Sequence, residues 1–210
     1  MDEATKGVAL SPRKRPSTAR GQARFDLILS TSRKLLLDTG VDALNSEDIA
    51  ANAGIPVGSV YQYFPNKFAI VAELAEQDTA ALEGALETYG SMFPAVDWQQ
   101  QTDSLIDHLA EQWRHDPSRR SVWLAMQSIE PTRALAAQHS RRLTRAVLVL
   151  IMPLTPDLHS RRRLTVAEVV VEMCNSLLHF SVHDGHPHPA TVRELKRALR
   201  SYLRAVAIGA

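Results

Sequence analysis

Residues 46–67 read SEDIAANAGIPVGSVYQYFPNK, and the architecture follows from them. Ser46 is a good N-cap, because its hydroxyl can accept from a free backbone N–H of the first turn. Glu47 and Asp48 suit the positive end of a helix dipole. Ile49, Ala50 and Ala53 form one short apolar face. Gly54 fits the left-handed position that ends a helix. Ile55-Pro56 restarts the chain, with Pro56 setting a φ compatible with a new helix N-terminus. Val57 to Phe64 makes about two turns. Val60 and Phe64, four residues apart, face the core together. Ser59, Tyr61, Gln62 and Tyr63 fall largely on other faces. Pro65 stops this helix, Asn66 caps the next, and Lys67 lies in its first turn.

Helix, glycine-containing turn, helix is the layout in which a second helix enters the major groove of DNA. The residues of that helix suit the task. Gly58 and Ser59 are small and let the backbone approach base edges. Gln62 offers hydrogen bonds to a base edge, and Tyr61 offers a stacking face or a hydroxyl. Tyr63 and Lys67 are donors for phosphates, which set register without reading sequence. Taken singly, Tyr61 or Tyr63 reads better as an ordinary half-buried aromatic beside Phe64. Their convergence with Gln62 and Lys67 around a glycine turn favours DNA.

Ile49-Ala50, Ala53-Gly54, Gly58-Ser59-Val60-Tyr61, Tyr63-Phe64-Pro65 and Lys67 together resemble the signature of the TetR family of one-component bacterial regulators. The resemblance spans roughly Phe25 to Leu74. It implies base contacts from Val57, Gly58, Ser59, Tyr61 and Gln62, and phosphate contacts from Ser46, Tyr63 and Lys67. Two positions depart from the pattern. Pro56 stands where relatives often carry a capping Ser or Thr, and Phe68 stands where an acid is common. Beyond Leu74 the resemblance implies architecture alone.

Composition sets the outer bounds. The chain has 210 residues, 24 Lys and Arg against 23 Asp and Glu, and a formal net charge of +1. Its apolar content is that of a globular protein. There is no apolar run of membrane-spanning length and no secretory h-region, so the expectation is a cytoplasmic protein without membrane contact. One cysteine, Cys174, allows no internal disulfide; it reads as a small buried hydrophobe, with redox sensing as the alternative. The distribution of charge says more than its sum. Lys6, Arg13, Lys14, Arg15, Arg20 and Arg24 crowd the first 24 residues against Asp2 and Glu3. From Phe68 to Trp113 there is no Lys or Arg, but there are nine acids.

Residues 1–19 contain SPRKRPS and little to bury, and read as a disordered basic arm, either lying on DNA or simply solvated. Residues 20–67 form the helix-turn-helix domain, and 68–210 a helical domain for ligand binding and dimerisation. The first helix spans about Arg20 to Thr39, with Phe25, Ile28, Leu29, Leu35 and Leu36 at helical spacing and Gly40 as its stop. The fourth starts near Asn66 and runs towards Tyr89. It joins the two domains, and so is a lever for a ligand switch or a plain linking helix. Asp116-Pro117, Pro131 and Thr155-Pro156-Asp157 read as further helix starts. Helical periodicity throughout, with no strand alternation, predicts an all-α fold of about nine helices.

The last two helices carry apolar surface beyond the needs of one core. By the resemblance they form a four-helix homodimer interface; covering within one copy is the alternative. Trp113, Trp123, Met126, Met173, Asn175 and His179 are candidate lining for a small organic ligand, or core filling. The acids of residues 68–113 suit a cationic ligand, a solvated face, or pairing with Arg119-Arg120 and Arg141-Arg142. His179 and His183 are four apart, with His186 and His188 beyond, but a pair does not complete a tetrahedral site. No metal or cofactor is therefore assigned. The expected function is a repressor released from a palindromic DNA operator by a small ligand. An activator, or control by a partner protein, stands as the alternative. An enzyme has no phosphate loop, nucleophile triad or complete metal motif behind it.

Overall fold

The computed structural model describes residues 8–91, 97–128, 130–182 and 188–208. Among these residues there are nine α-helices, one short 3-10 turn and no strand, as an all-α chain requires. The first helix, α1, runs from Ala19–Ala43, and Thr18 caps it by accepting from the Gly21 N–H at 3.1 Å. Helical geometry breaks at Gly40, whose φ is 77°. The glycine stop therefore lies where the sequence puts it, and only residues 41–43 follow before the chain turns.

Helix α2 spans Ser46–Ala53. Its cap is Asn45 rather than Ser46. The Asn45 side chain accepts from the Asp48 N–H at 2.8 Å, and Ser46 becomes the first helical residue, buried. Asn and Ser cap with nearly equal strength, so residue type alone could not choose between adjacent positions. Gly54 closes α2 at φ 64°, ψ 36°, and its N–H reaches the carbonyls of Ala50 and Ala51. Helix α3 spans Val57–Tyr63, and Pro56 occupies its cap position without a side-chain bond. Helix α4 spans Lys67–Gly90, and the Asn66 side chain accepts from the Ala69 N–H at 2.9 Å.

The later helices are α5 (Trp98–His115), α6 (Ser118–Ser128), α7 (Glu130–Ile151), α8 (Ser160–Phe180) and α9 (Pro189–Ile208). Two proline-based starts shift. Asp116 closes α5 by donating its N–H to the Gln112 carbonyl at 3.1 Å, and α6 begins two residues later. Thr155 is likewise not the N-cap of the next helix, a place taken by His159. The threonine is buried, its hydroxyl donates to the Ile151 carbonyl, and Arg163 donates to it. The Arg163 guanidinium also reaches the Pro156 and Leu158 carbonyls, so this loop is stapled and α8 starts only at Ser160.

The chain forms two compact units: Met1–Asp78 with Ser118–Ala137, and Thr79–Pro117 with Gln138–Ala210. The first unit holds α1 to α3, the start of α4, α6 and the start of α7. Its core joins Phe25, Ile28, Leu36, Ile49, Val60, Phe64, Ile70 and Leu74 to Val122 and Met126. A sequence division at residues 67 and 68 misses this contribution from α6, because periodicity shows which face is apolar and not which neighbour covers it. Arg33 donates to both Asp78 carboxylate oxygens (3.1 and 2.7 Å) and to the Leu74 carbonyl, tying α1 to α4. The second unit is built around Leu86, Ile106, Leu109, Val147, Val170, Leu195 and Leu199.

Candidate nucleic-acid interface

Within the first unit, α3 divides by face. Val60 and Tyr63 point inward, with Phe64 just beyond the helix. Val57, Gly58, Tyr61 and Gln62 are exposed, and their spacing of one, four and five residues sets them on one side of the helix. A Cβ at Gly58 would meet no described neighbour within 4 Å. The fold itself does not require a glycine there.

Two partners on this face are not legible in the sequence. The half-buried Arg24 of α1 donates from Nη1 to Ser59 Oγ at 3.1 Å. Glu47 of α2 accepts from the Tyr61 hydroxyl at 3.2 Å. These bonds hold two of the expected base-contacting side chains in place and set a cation and a carboxylate beside them. Arg24 lies 35 residues from Ser59, so no local pattern links them. Glu47 read only as an acid suited to a helix N-terminus.

The expected phosphate-contacting residues have internal work. Ser46 is buried at 6% exposure and so is Tyr63. The Tyr63 ring meets Phe25 edge-on at 5.6 Å, and Phe25 stacks on Phe64 at 4.9 Å. The Tyr63 hydroxyl lies against the first turn of α1, where a Cβ on Gly21 would come within 3.3 Å of it. Lys67 donates from Nζ to the carbonyls of Val41 (2.9 Å) and Asp42 (3.0 Å).

Residues 9–15 of the segment read as a disordered arm are instead held on this unit. The Arg13 N–H donates to the Tyr63 carbonyl at 2.7 Å, and Asn66 donates to the Ala9 carbonyl at 3.1 Å. Arg15 grips the buried Glu73 carboxylate through two bonds of 2.7 and 2.8 Å. A charge-assisted, two-bond pair of this kind is stronger than a neutral bond, and it links the segment to α4 although it carries few apolar residues. Arg13, Lys14 and Arg20 remain exposed. Residues 1–7 lie outside the described residues.

The six expected ligand-lining residues divide between the two units. Met126 belongs to the core of the first unit, and Trp123 sits on the same helix. Trp113, Met173, Asn175 and His179 lie in the second unit, where Trp113 and His179 meet edge-on at 6.1 Å. A separate apolar cavity of about 70 Å³ in the second unit uses none of the six. Leu86, Tyr89, Gln101, Leu105, Ile106 and Val170 contribute to its wall. Cys174 is partly exposed as a residue, yet burial pushes its thiol up to about 12, so it carries little thiolate at neutral pH. Among the described residues no three His, Cys, Asp or Glu side chains gather as metal ligands. His183 and His186 lie outside those residues.

Among the described residues no helix is long and apolar enough to cross a membrane. Residues 28–74 match the model of the bacterial regulatory proteins of the tetR family, and residues 96–207 match that of the tetracyclin repressor-like C-terminal domain. No curated protein matches the chain. Among solved structures, it is similar to a TetR-family transcriptional regulator from Streptomyces coelicolor. The identity is 25% over 87% of this chain and 99% of that one, with a TM-score of 0.57. A transcriptional regulator from Aquifex aeolicus VF5 shares 16% identity over 85% of this chain and 98% of its own, with a TM-score of 0.69. SmeT, solved as a complex with triclosan, shares 19% identity over 88% and 91%, with a TM-score of 0.68.

Proposed function

The chain belongs to the TetR family of bacterial transcriptional regulators, which bind DNA and are not enzymes, and on this basis we propose a repressor that holds a palindromic operator as a homodimer and leaves it when a small organic ligand binds. The observation that carries this reading is the exposed face of α3, with Val57, Gly58, Tyr61 and Gln62 together on a well-packed unit. Gln62 and Tyr61 read base edges, and Ser59 does so with its Arg24 partner. Exposed arginines and lysines of α1 and the preceding segment engage phosphates. One helix of two turns covers only a few base pairs, so two copies are needed to span successive major grooves.

Leu164, Val169 and Phe180 leave apolar surface exposed on α8, which favours pairing of two copies through α8 and α9. Release follows a population shift: ligand favours a head spacing that does not fit the operator. Helix α4 contributes to both units, so it is a covalent path between ligand and reading helix. The ligand complex of SmeT favours the ligand-released reading over control by a partner protein.

The test is fluorescence anisotropy on palindromic fragments from the protein's own promoter region, alongside sedimentation. The expected result is a dimer that discriminates the palindrome from scrambled DNA. Gln62→Ala should relax preference at one base position by about 1–3 kcal/mol. A stable monomer at micromolar concentration, or unchanged preference in both Gln62→Ala and Ser59→Ala, would refute the assignment.

A further inference from the structure

Two acids lie in the first turn of α2, and they do different work. The Asp48 carboxylate accepts from Asn45 Nδ2 at 2.8 Å, and the Asp48 N–H donates to the Asn45 cap. Glu47 is exposed, and its carboxylate takes no part in that cap. It reaches across to α3, where Oε1 lies 3.2 Å from the Tyr61 hydroxyl. Tyr61 is 39% exposed and stands on the outward face of α3 with Val57, Gly58 and Gln62. The Glu47 carboxylate therefore sits at the tip of a side chain on that face. Its second oxygen, Oε2, has no hydrogen-bond partner among the described residues.

An ionised carboxylate only accepts, so the proton of this bond belongs to Tyr61. With that proton committed, the tyrosine oxygen has only lone pairs left to offer, and the pair presents acceptors alone. DNA phosphates are anionic acceptors, so the backbone repels the pair and gives it no bond. Only two groups donate in the major groove: the N4 amino group of cytosine and the N6 amino group of adenine. Adenine sets its N7 acceptor beside the amino group, against the second carboxylate oxygen, whereas cytosine has a C–H there. Guanine and thymine present oxygen acceptors at that place. We infer that Glu47, held by Tyr61, is a specificity-determining residue that selects a cytosine at one position of each operator half-site. The inference rests on the DNA reading proposed for α3 and adds a residue of α2 to it. The opposite polarity lies on the other flank of the helix. Arg24 donates to Ser59 Oγ, which leaves donors on that side, and a step of two residues sets Ser59 about 200° from Tyr61.

The experiment selects bound duplexes from a synthetic pool with a randomised core, using the full chain, and sequences them. Wild type should favour a C·G pair at one position of each half-site by about tenfold over the other pairs. Glu47→Ala should admit all four pairs there and leave the other positions unchanged. Glu47→Gln should turn the preference to A·T, because an amide pairs with both N6 and N7 of adenine. Tyr61→Phe removes only the hydroxyl and should weaken the preference at the same position, so a second residue carries the test if a Glu47 variant fails to fold. Three results would overturn the inference and leave the DNA reading standing. They are a motif unchanged by both Glu47→Ala and Tyr61→Phe, an affected position that is A·T in wild type, and equal tightening of all duplexes by Glu47→Ala with the preference intact. The last would make Glu47 a repeller of phosphates and nothing more. A wild-type chain that enriches no duplex refutes the DNA reading itself, and the inference with it.

Discussion

Lys67 shows how one side chain serves two ends. Its ammonium donates to the carbonyls of Val41 and Asp42, where α1 has already broken at Gly40 and the carbonyls lack helical partners. A cation at the end of a helix is favoured by the dipole as well as by the bonds. Lys67→Met should therefore lower stability by about 1 kcal/mol, read as a lower urea midpoint with an unchanged slope, while Lys67→Arg keeps most of it. A midpoint equal to that of wild type would show these bonds to be incidental. Ser59 and Tyr61 are held in the same way, by Arg24 and Glu47. In the proposed mode of DNA reading, holding these side chains before DNA arrives reduces the side-chain entropy that binding removes.

Among the elements, the α2–α3 corner depends on one glycine. Gly54 sits at φ 64° and its N–H closes the last turn of α2. A side chain there costs about 1–2 kcal/mol in the left-handed region, and the space around it is open, so the penalty is conformational and not steric. Gly54→Ala should destabilise the chain by about 1 kcal/mol and Gly54→Asn by less, as measured by thermal unfolding. Equal effects of the two would argue against a conformational cause. Helix α6 matters for a different reason. Its Val122, Ala125 and Met126 complete the core beneath the reading helices, so a helix distant in sequence supports the DNA-facing surface. The Arg33–Asp78 pair, both side chains mostly buried, fastens α1 to α4 in that unit.

For the molecule as a whole, charge is arranged rather than accumulated. The net charge of +1 would not mark a DNA-binding protein, yet the exposed Arg13, Lys14 and Arg20 belong to the unit that carries α3. Most of the acids in residues 68–113 are neutralised inside their own units. Deleting residues 1–18 should weaken operator binding and reduce its salt dependence by about 0.9 in log–log slope for each phosphate that is no longer neutralised. Glu73→Gln, which releases Arg15 without removing it, should change the salt slope far less than the deletion. An unchanged slope in the deletion would show that the segment only braces the fold.

Residue order is enough to place the helices, the glycine breaks between the first of them, and the layout of the reading pair. Those features are local: the left-handed preference of Gly54, the i,i+4 spacing of Val60 and Phe64, and the cap at Asn66 depend on residues only a few positions apart. Folding in three dimensions was needed to bury Tyr63, to bring Arg24 to Ser59, to tie the N-terminal segment to Glu73 through Arg15, and to assign α6 to the DNA-facing unit. These pairings join residues tens of positions apart. The apolar face of a helix announces that something will cover it, but the partner is selected by packing of the whole core, which no periodicity encodes.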